Sequence, residues 1–446
     1  MNKINILTML GLCSASVLPS FAQKTAKPIR PNIIFILVDE LRYNVLSCTG
    51  HPFVKTPNID RIANEGVIMN KAYVTCPLCS PSRASFLTGQ YAHTNGIVKN
   101  TNYNAVSHEL ITYPRLLQAA GYKTAFIGKW HMGDDTSPRP GFDRWICTPA
   151  NKVDKIDPTM NVDGQTLKFK GHITDILTDE AIKFIKENKD KPFNISLFHN
   201  AVHGPYIPSE RNKSLFKNQP IVRTISATSP VVGKPALVGK NGQPPENDEA
   251  VRNYLRMLVD VDEGVGLIFK ALEDAGILNN TIIIFAGDNG YLWGEHGQGQ
   301  KRLAYEESIK IPFLVRYPPL IKAGTKSNAP ILNIDFAPTV LDLAGLPIHK
   351  QMQGQSILPV FKGKKLKGRE SLLFEYVLEK TGIPTWKAVR TDHWKYINYP
   401  DLTDCDELYY LTKDSVEMNN LINNPEQKAV VDKMKSELTR LMTVFQ

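Results

Sequence analysis

No internal repeat and no low-complexity tract occurs in the chain, and its 42% hydrophobic and 22% charged residues lack the bias of a disordered, collagenous or coiled-coil protein. Beyond residue 22 no apolar run reaches the roughly 20 residues that span a bilayer, so no stable membrane insertion is expected. Cysteine is scarce, with six in 446 residues. Only Cys76 and Cys79 are closely spaced, and no second such pair completes a four-cysteine zinc site. Neither charge sign dominates: 53 Lys+Arg against 44 Asp+Glu gives a formal net charge of +9, which suits an anionic substrate without requiring one. The basic run at 362–367 lacks interleaved aromatics and lies on no periodic helix, so it reads as a solvated linker and no nucleic-acid partner is expected.

What is present begins with a leader. Lys3 supplies a positive start, residues 4–18 are largely apolar, and Ser20-Phe21-Ala22 places small residues where a signal peptidase cuts. Residues 1–22 are therefore expected to be a signal peptide, the mature chain to start near Gln23, and the protein to be periplasmic or secreted. Cys13 follows Leu12 where a lipid-attachment signal wants a small residue, which argues against lipidation. Without Cys13 five cysteines remain, an odd number that flags a free thiol or a cysteine with another task.

The apolar run at 33–38 reads as a strand buried on both faces and ends at Asp39-Glu40. The same grammar recurs at 123–127 before Gly128-Lys129-Trp130-His131, at 193–198 before His199 and His203, and at 281–286 before Asp288-Asn289-Gly290. Helical patterns at 112–120, 175–188 and 253–275 lie between them. The alternation predicts an α/β fold whose polar strand ends meet in a crevice at the carboxyl edge of a mostly parallel sheet. Residues 226–247 are rich in Pro, Gly and Ser and read as a long rim loop. Short strands at 372–376, 386–390 and 394–399 and an amphipathic helix at 425–445 predict a small C-terminal α+β subdomain. The division expected is 23–366 for the catalytic domain and 367–446 for the subdomain.

The run Cys79-Ser80-Pro81-Ser82-Arg83, closing with Leu87-Thr88-Gly89, resembles the signature of the type I sulfatases at every defined position. Pro81 and Ser82 favour a helix start, so residue 79 is expected at a helix N-terminus, where free N–H groups favour an anion, with Arg83 one turn on. The resemblance extends along most of the mature chain. It implies an alkaline phosphatase-like fold, with a large mixed sheet flanked by helices, and conversion of Cys79 to formylglycine by a maturation enzyme. It also implies one divalent cation, calcium as the family's usual occupant, held by Asp39, Glu40, residue 79, Asp288 and Asn289. Glu40 departs from the family pattern, since many relatives carry Asp there. Lys129 and Lys301 would bind sulfate, His131 would assist the aldehyde hydrate, and His203 would face the leaving oxygen, with His199 its competitor.

Mechanistically, the resemblance implies attack on sulfur by a hydroxyl of the hydrated aldehyde while His203 protonates the alcohol; His131 then draws off the second hydroxyl's proton and sulfate leaves. The expected substrate is a sulfated carbohydrate, given export, mild basicity and the rim loop. His296, Asn100, Asn102, Trp386, His393 and Trp394 are candidates to line the sugar pocket. Two alternatives remain open: a phosphonate monoester or phosphodiester hydrolase of the same superfamily, and an inactive glycan-binding relative.

Overall fold

The computed structural model describes residues 30–150, 153–234, 236, 245–379 and 382–445. The leader at 1–22, Gln23 and Cys13 lie outside these residues, as does most of 235–244 in the rim loop. The strand Asn32–Val38, apolar from Ile33 onward, is buried throughout, which is possible only where both sheet faces are covered. It pairs in parallel with Phe193–His199 on one side and Thr281–Gly287 on the other. Lys123–Lys129 adds in parallel to Phe193–His199, and Arg144–Thr148 in parallel to it. The sheet reaches ten strands, finished on one side by Phe313–Arg316, Val67–Met69 and Thr325–Ser327 and on the other by Thr159–Val162 and Gln165–Lys168. Antiparallel pairing at Phe313–Arg316 and at the two outermost strands beyond Arg144–Thr148 makes the sheet mixed.

Alternation along Asn32–Val38 divides the core into two layers. Ile34, Ile36 and Val38 face the helices Pro57–Asn64, Ile173–Asn188 and Asp248–Asp274, whereas Ile33, Phe35 and Leu37 face Cys79–Thr88, Tyr113–Ala119 and Phe336–Leu343. The long helix begins at Asp248, five residues before the start expected from periodicity, because the Asn247 side chain accepts from the N–H groups of Glu249 and Ala250. It ends at Asp274, and Gly276 follows at φ +69°.

A separate antiparallel sheet takes the order Leu372–Tyr376, Trp386–Arg390, Trp394–Asn398, Glu407–Tyr410, with the helix Lys428–Val444 packed on it. Its fourth strand was not evident from sequence, because Glu407 is a buried acid at a core position. Glu407 accepts from the hydroxyls of Tyr305, Tyr399 and Tyr409, which satisfies its oxygens. The third core cluster joins this sheet to Tyr73, Tyr91 and Tyr305 of the main body. The α/β architecture with a small C-terminal α+β unit is the one the sequence predicted. Among the described residues no helix is long and apolar enough to cross a membrane.

Candidate active site

Register aligns the strand ends. Val38 is level with His199 and with Gly287, and Gly128 is level with Phe198, so Asp39, Asn200, Asp288 and Lys129 emerge at one edge. The close approach at Gly128 admits no side chain: at φ +122° a Cβ there would lie 1.9 Å from the Phe198 carbonyl oxygen. The turn after Asn32–Val38 is fixed by reciprocal bonds, Asp39 N–H to Ala201 O at 2.9 Å and Val202 N–H to Asp39 O at 3.0 Å.

Cys79 opens the helix Cys79–Thr88, all ten residues of which are buried. Leu78 supplies no side-chain cap, and the next free amide, Ser80 N–H, donates to Asn100 Oδ1 at 3.0 Å. Cys79 Sγ lies 3.4 Å from Asp39 Oδ1 and 2.9 Å from Lys301 Nζ. Burial, with Asp39 adjacent, pushes its thiol up to about 12, so as an unmodified cysteine it stays protonated near neutrality. Arg83 returns from one turn along and pairs with Asp288 through Nε at 2.9 Å and Nη2 at 2.8 Å, while Nη1 donates to Lys129 O at 2.5 Å.

Asp39, Asp288 and Cys79 bring ligand atoms within 4.8 Å of one another, all buried. Asn289 follows Asp288 in the chain; its Oδ1 is buried with no hydrogen-bond partner among the described residues, while its Nδ2 donates to Gly290 O at 2.8 Å. Two buried carboxylates and an amide oxygen lacking a donor form a hard oxygen set suited to a divalent cation. Burial alone would raise Asp39, but Lys129, His203, Arg83 and Lys301 outweigh it and hold its carboxyl well below the usual range. Lys129 Nζ is 2.5 Å from Asp39 Oδ2, and Lys301 Nζ bonds Glu40 Oε1. Glu40 Oε1 is also 3.3 Å from His203 Nε2, so its carboxylate turns towards the lysine and histidine, while its backbone N–H donates to Asp288 Oδ1 at 2.9 Å.

His203 Nδ1 is 2.7 Å from Gly204 O, which makes Nδ1 the donor and leaves Nε2 facing the cleft. His131 sits at φ +64° with Nδ1 buried and unpartnered, and burial beside Lys129 lowers its pKa well below the ordinary value. Both histidines line a cleft of about 620 Å³ with Asp39, Lys129, Asn100 and Asn102, and an adjoining lobe is walled by Glu40 and Lys301.

The family model described as Sulfatase matches residues 31–346, well over half of the chain. The chain belongs to the sulfatase family. A further model, for the C-terminal part of N-sulphoglucosamine sulphohydrolase, matches residues 294–444. This sulfatase is 32% identical over 515 aligned residues to the N-acetylglucosamine-6-O-sulfatase of Bacteroides thetaiotaomicron, covering 99% of this chain and 90% of that one. It also resembles a solved structure described as in complex with its substrate D-glucosamine-2-N,6-O-disulfate, at 30% identity and TM-score 0.87 over 93% of this chain and 98% of the other. A phosphonate monoester hydrolase of Agrobacterium radiobacter superposes with TM-score 0.75 at 22% identity, covering 94% and 96% of the two chains, a likeness of fold alone.

Not every sequence candidate reaches the sulfatase cleft. His199 is buried outside it, and burial pulls its pKa down to about 4. His296 is buried against Tyr305, with ring centroids 4.0 Å apart, and its Nε2 is 3.4 Å from Glu307 Oε2. Trp386 is also buried, and its Nε1 donates to Arg302 O at 2.7 Å, so it supports the cleft wall from behind. His393 and Trp394 lie in a different groove, between the C-terminal sheet and the last helix, and so do not line the cleft, contrary to the expectation from sequence. Leu372–Tyr376 and Trp386–Arg390 are antiparallel, so Glu379, beyond the end of the first strand, reaches the cleft while the turn carrying His393 is at the far end of the sheet.

Four cleft residues went unrecognised in the sequence. Glu379 accepts from Asn100 N–H at 2.7 Å and from Arg302 Nε at 3.1 Å, which ties the C-terminal sheet to the loop that holds Ser80. Arg302 follows Lys301 and could have been suspected from that adjacency. Asn200 and Lys155 also line the cleft, without any motif around Lys155 to announce it.

Proposed function

We propose that the enzyme removes an ester sulfate from an amino sugar of a sulfated glycan, with N-acetylglucosamine 6-sulfate the first substrate to test. Support for the sugar comes from the named activity of the bacterial relative; support for the chemistry comes from Cys79 opening a buried helix beside Asp39, Asp288 and Asn289. The convergence of that helix start with two lysines and two histidines in one cleft is the observation that carries the proposal.

We assign the cation, calcium by the oxygen-rich donor set, to Asp39, Asp288, Asn289 and residue 79, with Glu40 turned towards Lys301 and His203. A formylglycine formed from Cys79 supplies a hydrated nucleophile that a divalent cation acidifies. Arg83 neutralises Asp288 and anchors the helix start. Lys129 and Lys301 offer ammonium groups to the sulfate oxygens. His203, oriented by Gly204 O, delivers a proton from Nε2 to the departing sugar oxygen. His131, neutral through burial, accepts a proton from the group at position 79. Residues 1–22, read as a signal peptide, support export to the periplasm or beyond, and a maturation enzyme would convert Cys79.

The test pairs two measurements on protein from a host able to mature it. Conversion of Cys79 lowers the mass of its tryptic peptide by about 18 Da, and the same preparation should release sulfate from N-acetylglucosamine 6-sulfate. A converted protein that cleaves phosphonate monoesters but no sugar sulfate would overturn the reading.

A further inference from the structure

Lys155 is the buried cation of the cleft that no carboxylate matches among the described residues. It is 3% exposed and lines the cleft beside Asn200 and Lys129. Its Nζ donates to the Asn200 carbonyl at 3.3 Å, a long contact for a group with three donors. Its backbone is fixed, because Ile173 N–H donates to Lys155 O at 2.8 Å and Ile156 bridges His172. The other cations of the site are paired: Arg83 with Asp288, Lys129 with Asp39, Lys301 with Glu40 and Arg302 with Glu379. Burial lowers the Lys155 ammonium to about 8, with Asp39 and Glu40 raising it from a distance and Lys129 opposing them.

A sugar hydroxyl does not call for such a residue. Asn100, Thr101 and Asn102 already offer neutral donors and acceptors to hydroxyl groups in the same cleft. A desolvated ammonium is costly unless an opposite charge meets it, and a neutral partner returns little of that cost. The scissile sulfate is provided for by Lys129 and Lys301.

Building on the proposed sulfatase reading, we propose that Lys155 binds a second anionic group of the substrate, a sulfate, sulfamate or carboxylate carried by the same sugar or its neighbour. The preferred substrate is then a saccharide with at least two negative charges, and Lys155 is a specificity residue with no part in the chemical step.

Initial rates would be measured with matured wild-type, Lys155→Met and Lys155→Arg enzymes. The substrates would be N-acetylglucosamine 6-sulfate, glucosamine 2-N,6-O-disulfate and a 6-sulfated glucosamine linked to a uronic acid. The wild type should favour at least one dianionic substrate by about tenfold or more in kcat/KM, through KM. Lys155→Met should lose that preference while keeping the rate on the singly sulfated sugar, and Lys155→Arg should keep part of it. Which dianionic substrate is favoured separates the sulfamate from the carboxylate. Equal losses on all three substrates, or a wild type without preference, would overturn the proposal. Should the wild type release sulfate from none of them, the sulfatase reading fails, and titration calorimetry with the same saccharides still decides: tighter dianion binding by wild type than by Lys155→Met upholds the role of Lys155, and equal binding overturns it. Unchanged thermal unfolding of the variants checks that they fold.

Discussion

Arg83 and Asp288 form a fully buried ion pair, with Nη2 2.8 Å and Nε 2.9 Å from the same carboxylate oxygen, that locks the helix Cys79–Thr88 to the end of the strand Thr281–Gly287. One side chain thereby fixes both the start of the helix that carries Cys79 and the charge environment of Asp288. Arg83→Ala strands Asp288 in the core, and removing one partner of a buried pair costs about 3–5 kcal/mol. We expect a lowered unfolding midpoint in denaturant together with loss of sulfate release; an unchanged midpoint would refute the coupling.

Leaving-group dependence tests His203. Its Nε2 faces the cleft because Nδ1 is committed to Gly204 O. General acid catalysis contributes about 10²–10⁴-fold, so His203→Ala should lose that much on a sugar sulfate and far less on a nitrophenyl sulfate, whose phenolate departs unaided. Equal losses on both would remove the acid role.

Cation binding should appear as stability. Asp39 and Asp288 bring buried ligand atoms together, and Asn289 Oδ1, next to Asp288 in the chain, has no donor among the described residues, so calcium ought to raise the unfolding temperature of the wild type. A ligand at a hundred times its Kd stabilises by about 2.7 kcal/mol, and a chelator should remove both that gain and the activity. In Asn289→Ala the midpoint of the calcium titration should move to higher concentration. An unfolding temperature indifferent to calcium would count against the site.

A pH-sensitive contact joins the two parts of the chain. His93 Nδ1 is 2.7 Å from Glu375 Oε2 on the strand Leu372–Tyr376, and its Nε2 is 2.7 Å from Phe445 O. The Glu375 hydrogen bond raises the His93 pKa, with burial opposing it. A raised histidine gives stability that is full below its unfolded value, about 6.5, and is lost as pH climbs through the folded value. Because the imidazole is a third exposed, the effect should stay below about 1 kcal/mol. Unfolding curves from pH 6 to pH 8 should show this loss in the wild type and a flatter profile in His93→Gln.

Local chemistry made much of the fold and site readable before any coordinates. Strands buried on both faces must be continuously apolar, so the segments around 33–38, 123–127, 193–198 and 281–286 announced themselves, and the polar residues just beyond them marked one edge of the sheet. The run from Cys79 to Gly89 carried its own helix start and its own arginine one turn on. The long helix was harder to delimit, because its true start depends on a single capping side chain at Asn247 rather than on periodicity.

By itself the sequence determined the α/β alternation, the Cys79–Gly89 signature and the residues at the strand ends, because each depends on neighbours a few positions away. Tertiary structure alone decided which of them meet. Strand register placed Asp39 level with Asn200 and Asp288, and the reversal between two C-terminal strands sent Glu379 into the cleft and His393 to the opposite end. Among the described residues it also left Lys155 buried without a carboxylate partner. Charge pairing is set by distances across hundreds of residues, which no local pattern encodes.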